Sequence, residues 1–262
     1  MEIVLEAKDL KKTFYLSKKQ QKIEKTNLTK KVAVNHLSFS LYKGEIFGLL
    51  WPNGAGKTTT LRIISTLIKS DEGDVLVEGF SVKNQPNEVR NRIGFLTSEL
   101  KLEDFFTPNY LFDFFSSLHH VPENIAQQRK KELFEKFGID KFAEVKVANL
   151  STGMKQKVSL AISIVHDPSI IIFDEPTNGL DVLTAKVVTD FLLDLKKEGK
   201  TILVSTHIFS LVEKICDRVG IIINGKMIAC DTLQNITSGR PLEDVFFDIY
   251  KNEVGEEEWK IF

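Results

Sequence analysis

A short apolar run followed by a glycine-rich loop constrains the fold of this chain more than any other segment. The run Ile46–Leu50 leads into the sequence Trp51-Pro52-Asn53-Gly54-Ala55-Gly56-Lys57-Thr58-Thr59. A glycine-rich loop that ends in Gly-Lys-Thr and lies between a strand and a helix wraps the phosphates of a nucleotide. We predict a helix over Thr58–Ile68, with Leu67 among the apolar residues of one face. The first N–H groups and the dipole of that helix would point at the phosphates.

The loop departs from its usual pattern at one position, because Trp51 stands where the first glycine is expected. If that position requires left-handed backbone geometry, a non-glycine residue costs about 1–2 kcal/mol. The indole must also find room beside the phosphates or at a subunit interface. We expect the fold to survive and nucleotide affinity or turnover to fall.

Charged and hydroxyl side chains at two strand ends predict phosphate chemistry. Lys57 would neutralise charge on the β- and γ-phosphates, and the Thr58 hydroxyl would hold Mg²⁺. Asp174-Glu175 follows the apolar run Ser169–Phe173, at the edge where ligands bind parallel sheets. Asp174 would reach Mg²⁺, and Glu175 would polarise the attacking water as general base. Taken alone, Asp174-Glu175 is equally compatible with an acidic turn after a buried strand.

Strands that alternate with helices favour a parallel α/β sheet with an antiparallel β subdomain before it. We predict strands at Ile3–Ala7, Val32–Ser40, Glu45–Leu50, Ser169–Phe173 and Thr201–Thr206, helices within 110–119 and 127–137, helices over Leu183–Glu198 and Leu242–Tyr250, and a hairpin turning at Asn224-Gly225. The segment 16–31 has six lysines and one glutamate. It reads as a solvated loop, with contact to anionic lipid or a partner as the alternative.

The bulk composition sets few further limits. The chain has 262 residues, a formal net charge of -1 and two cysteines without metal-ligand or redox spacing. The balanced charge gives no overall attraction to nucleic acid or to an anionic membrane. We expect no signal peptide, and no apolar run approaches the roughly 18 residues that span a bilayer. Work at a membrane would therefore go through partners.

Several motifs in order resemble the ATP-binding subunit of an ABC transporter over almost the whole chain. They are the phosphate loop, Leu150-Ser151-Thr152-Gly153, Asp174-Glu175, Pro176-Thr177-Asn178-Gly179-Leu180-Asp181 and His207. The resemblance implies that Ser151 and the Gly153 N–H bind a γ-phosphate presented by another subunit. It implies that Asp181 belongs to a loop communicating across a dimer, that His207 contacts the γ-phosphate, and that Phe14, or its neighbour Tyr15, stacks on adenine. Ser151 is also expected to cap its helix, a role compatible with anion binding.

The resemblance further implies nucleotide contacts along Asn53, Gly54, Ala55, Gly56, Lys57, Thr58 and Thr59. Two departures from the family pattern accompany Trp51. Ser98-Glu99 stands where the family usually has a glutamine, and Ser98 would reach the metal through water. Thr152 and Met154 replace a glycine and a glutamine of the signature, whereas Ser151 and Gly153 are retained.

The resemblance implies a P-loop NTPase fold in one domain spanning residues 1–262. Residues 1–95 and 166–230 would form the α/β core with its β subdomain, 96–165 a helical subdomain, and 231–262 a C-terminal extension. The implied cofactors are ATP and Mg²⁺. The implied partners are transmembrane permease subunits and a second ATPase subunit in a homodimer or pseudo-dimer, with no nucleic acid.

The implied function is ATP hydrolysis that powers export through separate membrane subunits at the cytoplasmic face of the membrane. The segments Ser151–Gln156 and Leu242–Phe246 resemble those of the exporter branch that includes sodium-extrusion and drug-export ATPases. The permease would dock near Ser98 and the segment 102–115, including Phe105, Phe106 and Phe112. Two alternatives stay open: a subunit whose nucleotide binding is impaired by Trp51, and a soluble ABC ATPase acting on nucleic acid or ribosomes.

Overall fold

The computed structural model describes residues 2–23, 26–52, 56–97 and 101–255. Their strands form two sheets. The strands are β1 Ile3–Tyr15, β2 Lys30–Tyr42, β3 Ile46–Leu50, β4 Glu72–Val77, β5 Phe80–Ser81, β6 Ile93–Leu96, β7 Ile170–Asp174, β8 Thr201–Thr206, β9 Arg218–Ile223 and β10 Lys226–Thr232. The helices are α1 Lys18–Ile23, α2 Lys57–Ile64, α3 Pro86–Arg90, α4 Pro108–Leu118, α5 Glu123–Phe137, α6 Thr152–Ser163, α7 Val182–Lys197, α8 Phe209–Ile215, α9 Leu233–Thr237 and α10 Leu242–Val254, with 3₁₀ turns at Asp140–Phe142 and Val147–Asn149.

The larger sheet has the order β10-β9-β3-β8-β7-β6. Its strands are parallel except β10, which returns antiparallel to β9. The hairpin between them turns at Asn224 and Gly225, which have φ angles of 50° and 76°. Two successive positive φ angles are what a two-residue hairpin turn of this hand requires. The predicted hairpin and parallel sheet are therefore confirmed.

The central strands of this sheet are buried on both faces, as their continuous apolar runs predict. Along β7, Ile171 and Phe173 contribute to one hydrophobic cluster, whereas Ile170 and Ile172 contribute to the other. The first cluster packs the sheet against α4 to α8 and α10. The second packs it against α2, α3 and the smaller sheet. None of the helices in the described part of the chain has the length and apolarity needed to cross a bilayer.

The smaller sheet is antiparallel and has the order β2-β1-β4-β5. Strand β1 continues well past the predicted end at Ala7, because it passes through register shifts rather than stopping. Asp9 and His36, both at positive φ, face each other at one irregularity, with His36 Nδ1 2.7 Å from Asp9 Oδ1. Such bulges break the alternation on which sequence-based strand limits depend.

Three local predictions are wrong. Helix α2 ends at Ile64, and Leu67 is 60% exposed because the chain turns away at Thr66, whose φ is 62°. The lysine-rich segment contains the helix α1 rather than only a loop. Phe112 is not part of any surface, since it is fully buried with its ring centroid 5.5 Å from that of Phe134.

Candidate functional site

A cavity of about 440 Å³ opens beside the phosphate loop. Gly56, Lys57, Thr58 and Thr59 line it at the start of α2. The other predicted site residues that line it are Phe14, Glu175 and His207. The fold therefore brings together predicted residues that lie far apart in the sequence.

The strand register places the polar residues at one edge of the parallel sheet. Leu50 at the end of β3 pairs with Thr206 at the end of β8, and Asp174 at the end of β7 pairs with Ser205. The phosphate loop, Glu175 and His207 each come directly after one of these strand ends. Ligands bind such sheets at the carboxyl ends of the strands.

Gly56 is the position in the described part of the loop where only glycine fits. It caps α2 with a φ of 90°, in the left-handed region. A Cβ atom on Gly56 would lie 1.8 Å from the carbonyl oxygen of Ala33 in β2. The close approach of the two backbones thus holds the start of α2 against the smaller sheet.

Trp51 occupies the core rather than a strained loop position. Its backbone has no positive φ, so the left-handed penalty expected at this position does not arise. The side chain is 6% exposed, packs in the second hydrophobic cluster and also lines the cavity. Its Nε1 is buried without a hydrogen-bond partner among the described residues. The indole therefore has room beside the phosphate loop at the cost of one unpaired N–H.

Lys57, Glu175 and His207 form the polar centre of the cavity. Lys57 Nζ lies 2.7 Å from Glu175 Oε1 and 3.5 Å from Asp174 Oδ1. His207 Nδ1 lies 3.0 Å from the Glu175 carboxylate. Glu175 has a φ of 54°, uncommon for a residue with a side chain, and backbone strain of this kind clusters at functional sites. Its N–H donates to the Ser205 carbonyl at 2.8 Å, which holds this conformation.

Burial and neighbouring charges shift the two carboxyl pKa values in opposite directions. Burial raises the pKa of Asp174, and this effect exceeds the lowering by Lys57. Burial also acts to raise the pKa of Glu175. The hydrogen bonds from His207 and Lys57 outweigh it and leave that pKa below its ordinary value. Glu175 is therefore ionised at neutral pH and able to accept a proton.

The donor set suits a hard divalent cation. Asp174 and Glu175 are buried carboxylates, with Lys57 Nζ 3.5 Å from Asp174 Oδ1 and His207 Nδ1 3.0 Å from Glu175 Oε2. The Thr58 hydroxyl belongs to the same cavity. Carboxylate and hydroxyl oxygens that share a cation with phosphates are the ligands that Mg²⁺ prefers. Asp174 and Thr58 thus fit the predicted Mg²⁺ ligands.

Ser151, Gly153 and Asp181 lie together outside this cavity. Ser151 caps α6, its Oγ accepting from Met154 N at 3.3 Å. Asp181 caps α7, accepting from Leu183 N and Thr184 N at 3.0 Å each. A Cβ on Gly153 would lie 3.1 Å from Thr184 Oγ1, which itself donates to Asp181 at 2.6 Å. The signature segment and the Asp181 loop therefore form one surface.

A hydrogen bond connects the signature helix to the polar centre. Gln156 Nε2 in α6 donates to the Pro176 carbonyl oxygen at 3.1 Å, one residue after Glu175. No sequence signal pointed to this role for Gln156, because glutamine on a helix is usually a solvated residue.

At the end of β1, Phe14 lines the cavity and Tyr15 does not. The Phe14 ring is 39% exposed, with the Lys12 ammonium 5.8 Å from its centroid, whereas Tyr15 is 74% exposed. Of the two aromatic candidates, Phe14 is the one placed to stack on a base.

The lysine-rich segment also supplies lining residues that the sequence analysis missed, namely Leu16, Gln20 and Lys31. Its composition predicted a solvated loop, or a contact with anionic lipid or a partner, and gave no sign of a nucleotide contact. Asn53, Gly54, Ala55 and Ser98 lie outside the described residues.

Comparison with known proteins agrees with this geometry. The family model described as "ABC transporter" matches residues 34–178. The chain is 39% identical over 214 residues to the ABC transporter ATP-binding protein NatA of Bacillus subtilis (strain 168), which covers 81% of this chain and 87% of NatA. This chain belongs to the ABC transporter family. It is an ATP-binding subunit, an ATPase that powers transport.

Further relatives support the assignment to the ABC family. The linearmycin resistance ATP-binding protein LnrL of the same organism is 35% identical over 209 residues, covering 80% of this chain and 67% of LnrL. A solved structure described as an ATP-binding subunit of an ABC transporter superposes with a TM-score of 0.82 at 26% identity. It covers 95% of this chain and 100% of its own. Both the fold and the ATP-binding role expected from the motifs are therefore confirmed.

Proposed function

We propose that this subunit hydrolyses MgATP with Glu175 as general base, and that the energy drives export through separate permease subunits. The observation that carries the proposal is the Glu175 carboxylate held between Lys57 and His207 in a cavity lined by the phosphate loop. Lys57 would bind the β- and γ-phosphates, Phe14 would stack on adenine, and His207 would contact the γ-phosphate. The remaining loop residues, Asn53 to Thr59, would donate backbone N–H groups to the phosphates.

Thr58 and Asp174 would hold Mg²⁺, with Ser98 as a further ligand through water. The cation would neutralise charge that develops on the phosphate oxygens. Steady-state phosphate release by the purified chain tests this proposal. We expect turnover with MgATP and its loss when EDTA removes divalent cations. Turnover that is insensitive to EDTA would contradict the role of the metal.

We propose that two ATPase subunits assemble head to tail, so that Ser151 and Gly153 of one contact the γ-phosphate bound by the other. The proposal is supported by the position of Ser151, which does not line the cavity of its own chain. The substitution Ser151→Asp tests it, because aspartate also caps helices but places a negative charge against the phosphate. We expect loss of the ATP-dependent dimer in sedimentation, with ATP binding to the monomer retained. Dimers that form unchanged would contradict the arrangement.

The permease is proposed to dock on the aromatic ridge, which we define as Phe105, Phe106, Tyr110 and Phe114 at the start of α4 and the segment before it. Phe106 and Tyr110 stack with centroids 4.4 Å apart, and Tyr110 and Phe114 stack at 6.3 Å. Phe105, Tyr110 and Phe114 are 62%, 49% and 49% exposed. Exposed aromatic groups of this kind mark interaction surfaces. This docking would hold the subunit at the cytoplasmic face of the membrane.

Co-purification with the permease from membranes tests the aromatic ridge. The double substitution Tyr110→Ser and Phe114→Ser should abolish co-purification without unfolding the subunit. Ile23→Ser removes an apolar side chain that is 70% exposed elsewhere and serves as the control. Retention of the double variant on the permease would exclude the ridge.

The names of relatives, among them a Nod factor export ATP-binding protein of Burkholderia orbicola, support the direction of transport.

A further inference from the structure

We call residues 16–31, between β1 and β2, the insert, and the structure describes residues 16–23 and 26–31 of it. These described residues fold beside the nucleotide cavity. Leu16 N donates to the Thr29 carbonyl at 3.0 Å and closes the base of the insert. Inside it, Gln21 Nε2 donates to the Leu16 carbonyl at 3.1 Å, and Thr26 N donates to the Gln21 carbonyl at 3.0 Å. These bonds give a polar segment a defined shape. Because Leu16, Gln20 and Lys31 line the cavity, that shape forms one of its walls.

Gln20 has its amide oriented by a reciprocal pair of hydrogen bonds at the start of α1. Ser17 N donates to Gln20 Oε1 at 2.9 Å, and Gln20 N donates to Ser17 Oγ at 3.3 Å. This is a capping box, in which a serine and a glutamine three residues later satisfy each other's N–H groups. Since the amide oxygen accepts from Ser17 N, the orientation of the amide is fixed. The group that Gln20 offers to a ligand is therefore the Nε2 donor.

Leu16 and Gln20 line the cavity together with Phe14, which lies two residues before Leu16 in the chain. The phosphate loop supplies a separate part of the cavity through Lys57 and Thr58. A nucleotide with its phosphates on Lys57 and its base on Phe14 would extend its nucleoside part along this wall. Sugar and base carry hydrogen-bond acceptors there, in the ribose oxygens and the ring nitrogens.

We propose that Gln20 is a specificity-determining residue, which donates from Nε2 to an acceptor on the nucleoside part of the bound nucleotide. This inference rests on the proposed function, because it assumes that the cavity binds ATP. The insert is thereby part of the nucleotide site. In this arrangement one side chain of the insert binds the sugar or the base, whereas the phosphate loop binds the phosphates.

The substitution Gln20→Glu tests the inference. Glutamate keeps the size of the side chain and the capping box, but replaces the Nε2 donor with an acceptor oxygen. Asn27→Asp introduces the same charge at an exposed position of the insert that does not line the cavity, and is the matched control. The probes are MgATP and inorganic tripolyphosphate, which has no nucleoside. Dissociation constants are measured by calorimetry at one ionic strength, and thermal unfolding verifies that both variants fold.

We expect Gln20→Glu to weaken MgATP binding by about three- to tenfold relative to Asn27→Asp, the change that loss of one hydrogen bond produces. Tripolyphosphate should bind the two variants equally. Equal MgATP affinities in the two variants, or an equal loss for both ligands, would overturn the inference. Failure of the wild-type chain to bind MgATP would instead overturn the proposed function, so the two failures are distinguishable. Repeating the titrations with 2′-deoxyATP shows whether the 2′-hydroxyl oxygen is the acceptor.

Discussion

Lys57 Nζ lies 2.7 Å from Glu175 Oε1, and this ion pair joins the phosphate loop to the end of β7. The same carboxylate accepts from His207 Nδ1 at 3.0 Å. Glu175 is thus held between Lys57, which follows β3, and His207, which follows β8. Because both contacts stabilise its ionised form, the carboxylate has the protonation state required of a base.

Replacing Glu175 with glutamine should separate hydrolysis from binding. The amide keeps the shape of the side chain but cannot take a proton from water, and general bases contribute about 10²–10⁴-fold to rates. We expect phosphate release to fall by at least about 10²-fold while the dissociation constant of MgATP stays within about threefold. Glu198→Gln, at an exposed position near the end of α7, is the control. A variant with more than a tenth of wild-type turnover would exclude Glu175 as the base.

Gly56→Ala should destabilise the fold as well as the nucleotide site. Its Cβ would lie 1.8 Å from the Ala33 carbonyl oxygen, so backbone must move, and the left-handed geometry adds about 1–2 kcal/mol. Gly79→Ala is the matched control, since Gly79 also has a positive φ, 84°, with no atom within 4 Å of the added Cβ. Urea unfolding should show that the free energy of unfolding falls more for Gly56→Ala than for Gly79→Ala. Equal losses would show that the contact with Ala33 contributes nothing.

Trp51 is expected to stabilise the fold and to weaken nucleotide binding or turnover, and two substitutions separate these effects. Trp51→Gly removes a buried aromatic side chain and should cost about 3–5 kcal/mol of unfolding free energy. Because the indole lines the cavity, the same change should raise MgATP affinity or turnover. Trp51→Phe removes the unpaired Nε1–H while keeping a ring, so we expect it to change stability by less than about 1.5 kcal/mol. Equal MgATP affinities for wild type and Trp51→Gly would contradict the effect on binding.

His166 should make the protein less stable in mild acid. Burial lowers the pKa of His166 to about 4, and the neighbouring His119 ring, stacked at 4.0 Å, adds to the effect. The native state therefore binds a proton more weakly than the unfolded chain. This contribution to the free energy of unfolding is fully present above the ordinary histidine pKa of about 6.5. It is lost as the pH falls toward the pKa of the folded state, and the loss reaches about 2 kcal/mol at pH 5.

Urea unfolding of wild type and His166→Gln at pH 7.5 and pH 5 measures this effect. The amide retains a donor for the Ile93 carbonyl, which His166 Nε2 contacts at 3.0 Å. We expect the variant to lose less stability than wild type over this interval. Identical pH dependence in wild type and His166→Gln would rule out His166 as the source.

The parallel sheet and most of the polar centre were predictable because their signals are local. The strand Thr201–Thr206 has the predicted limits, since an apolar run between polar residues defines a buried strand. Lys57, Glu175 and His207 each follow a strand, and strands of one parallel sheet end at one edge. The strand ends predict the position of Lys57 and Glu175, whereas His207 was assigned to the site through the family resemblance.

Other features depend on tertiary contacts that no local pattern encodes. The insert has the composition of a solvated loop, and only its packing brings Gln20 to the cavity. Phe112 and Phe114 differ by two positions on α4, so one faces the core and the other solvent. The left-handed backbone geometry expected at Trp51 is found instead at Gly56 and Glu175. The stated boundaries of the subdomains stay a prediction.

The Ala33 carbonyl has a second glycine beside it. A Cβ on Gly225, in the β9–β10 turn, would lie 2.9 Å from that oxygen, and Asn35 N donates to the Gly225 carbonyl at 2.9 Å. One peptide group of β2 is therefore clamped between the phosphate loop and a distant hairpin by main-chain atoms. Such a joint has no side chains that can repack to absorb a displacement. A displacement of Ala33 would consequently be felt at both glycines, so this point of β2 couples the start of α2 to the β9–β10 turn.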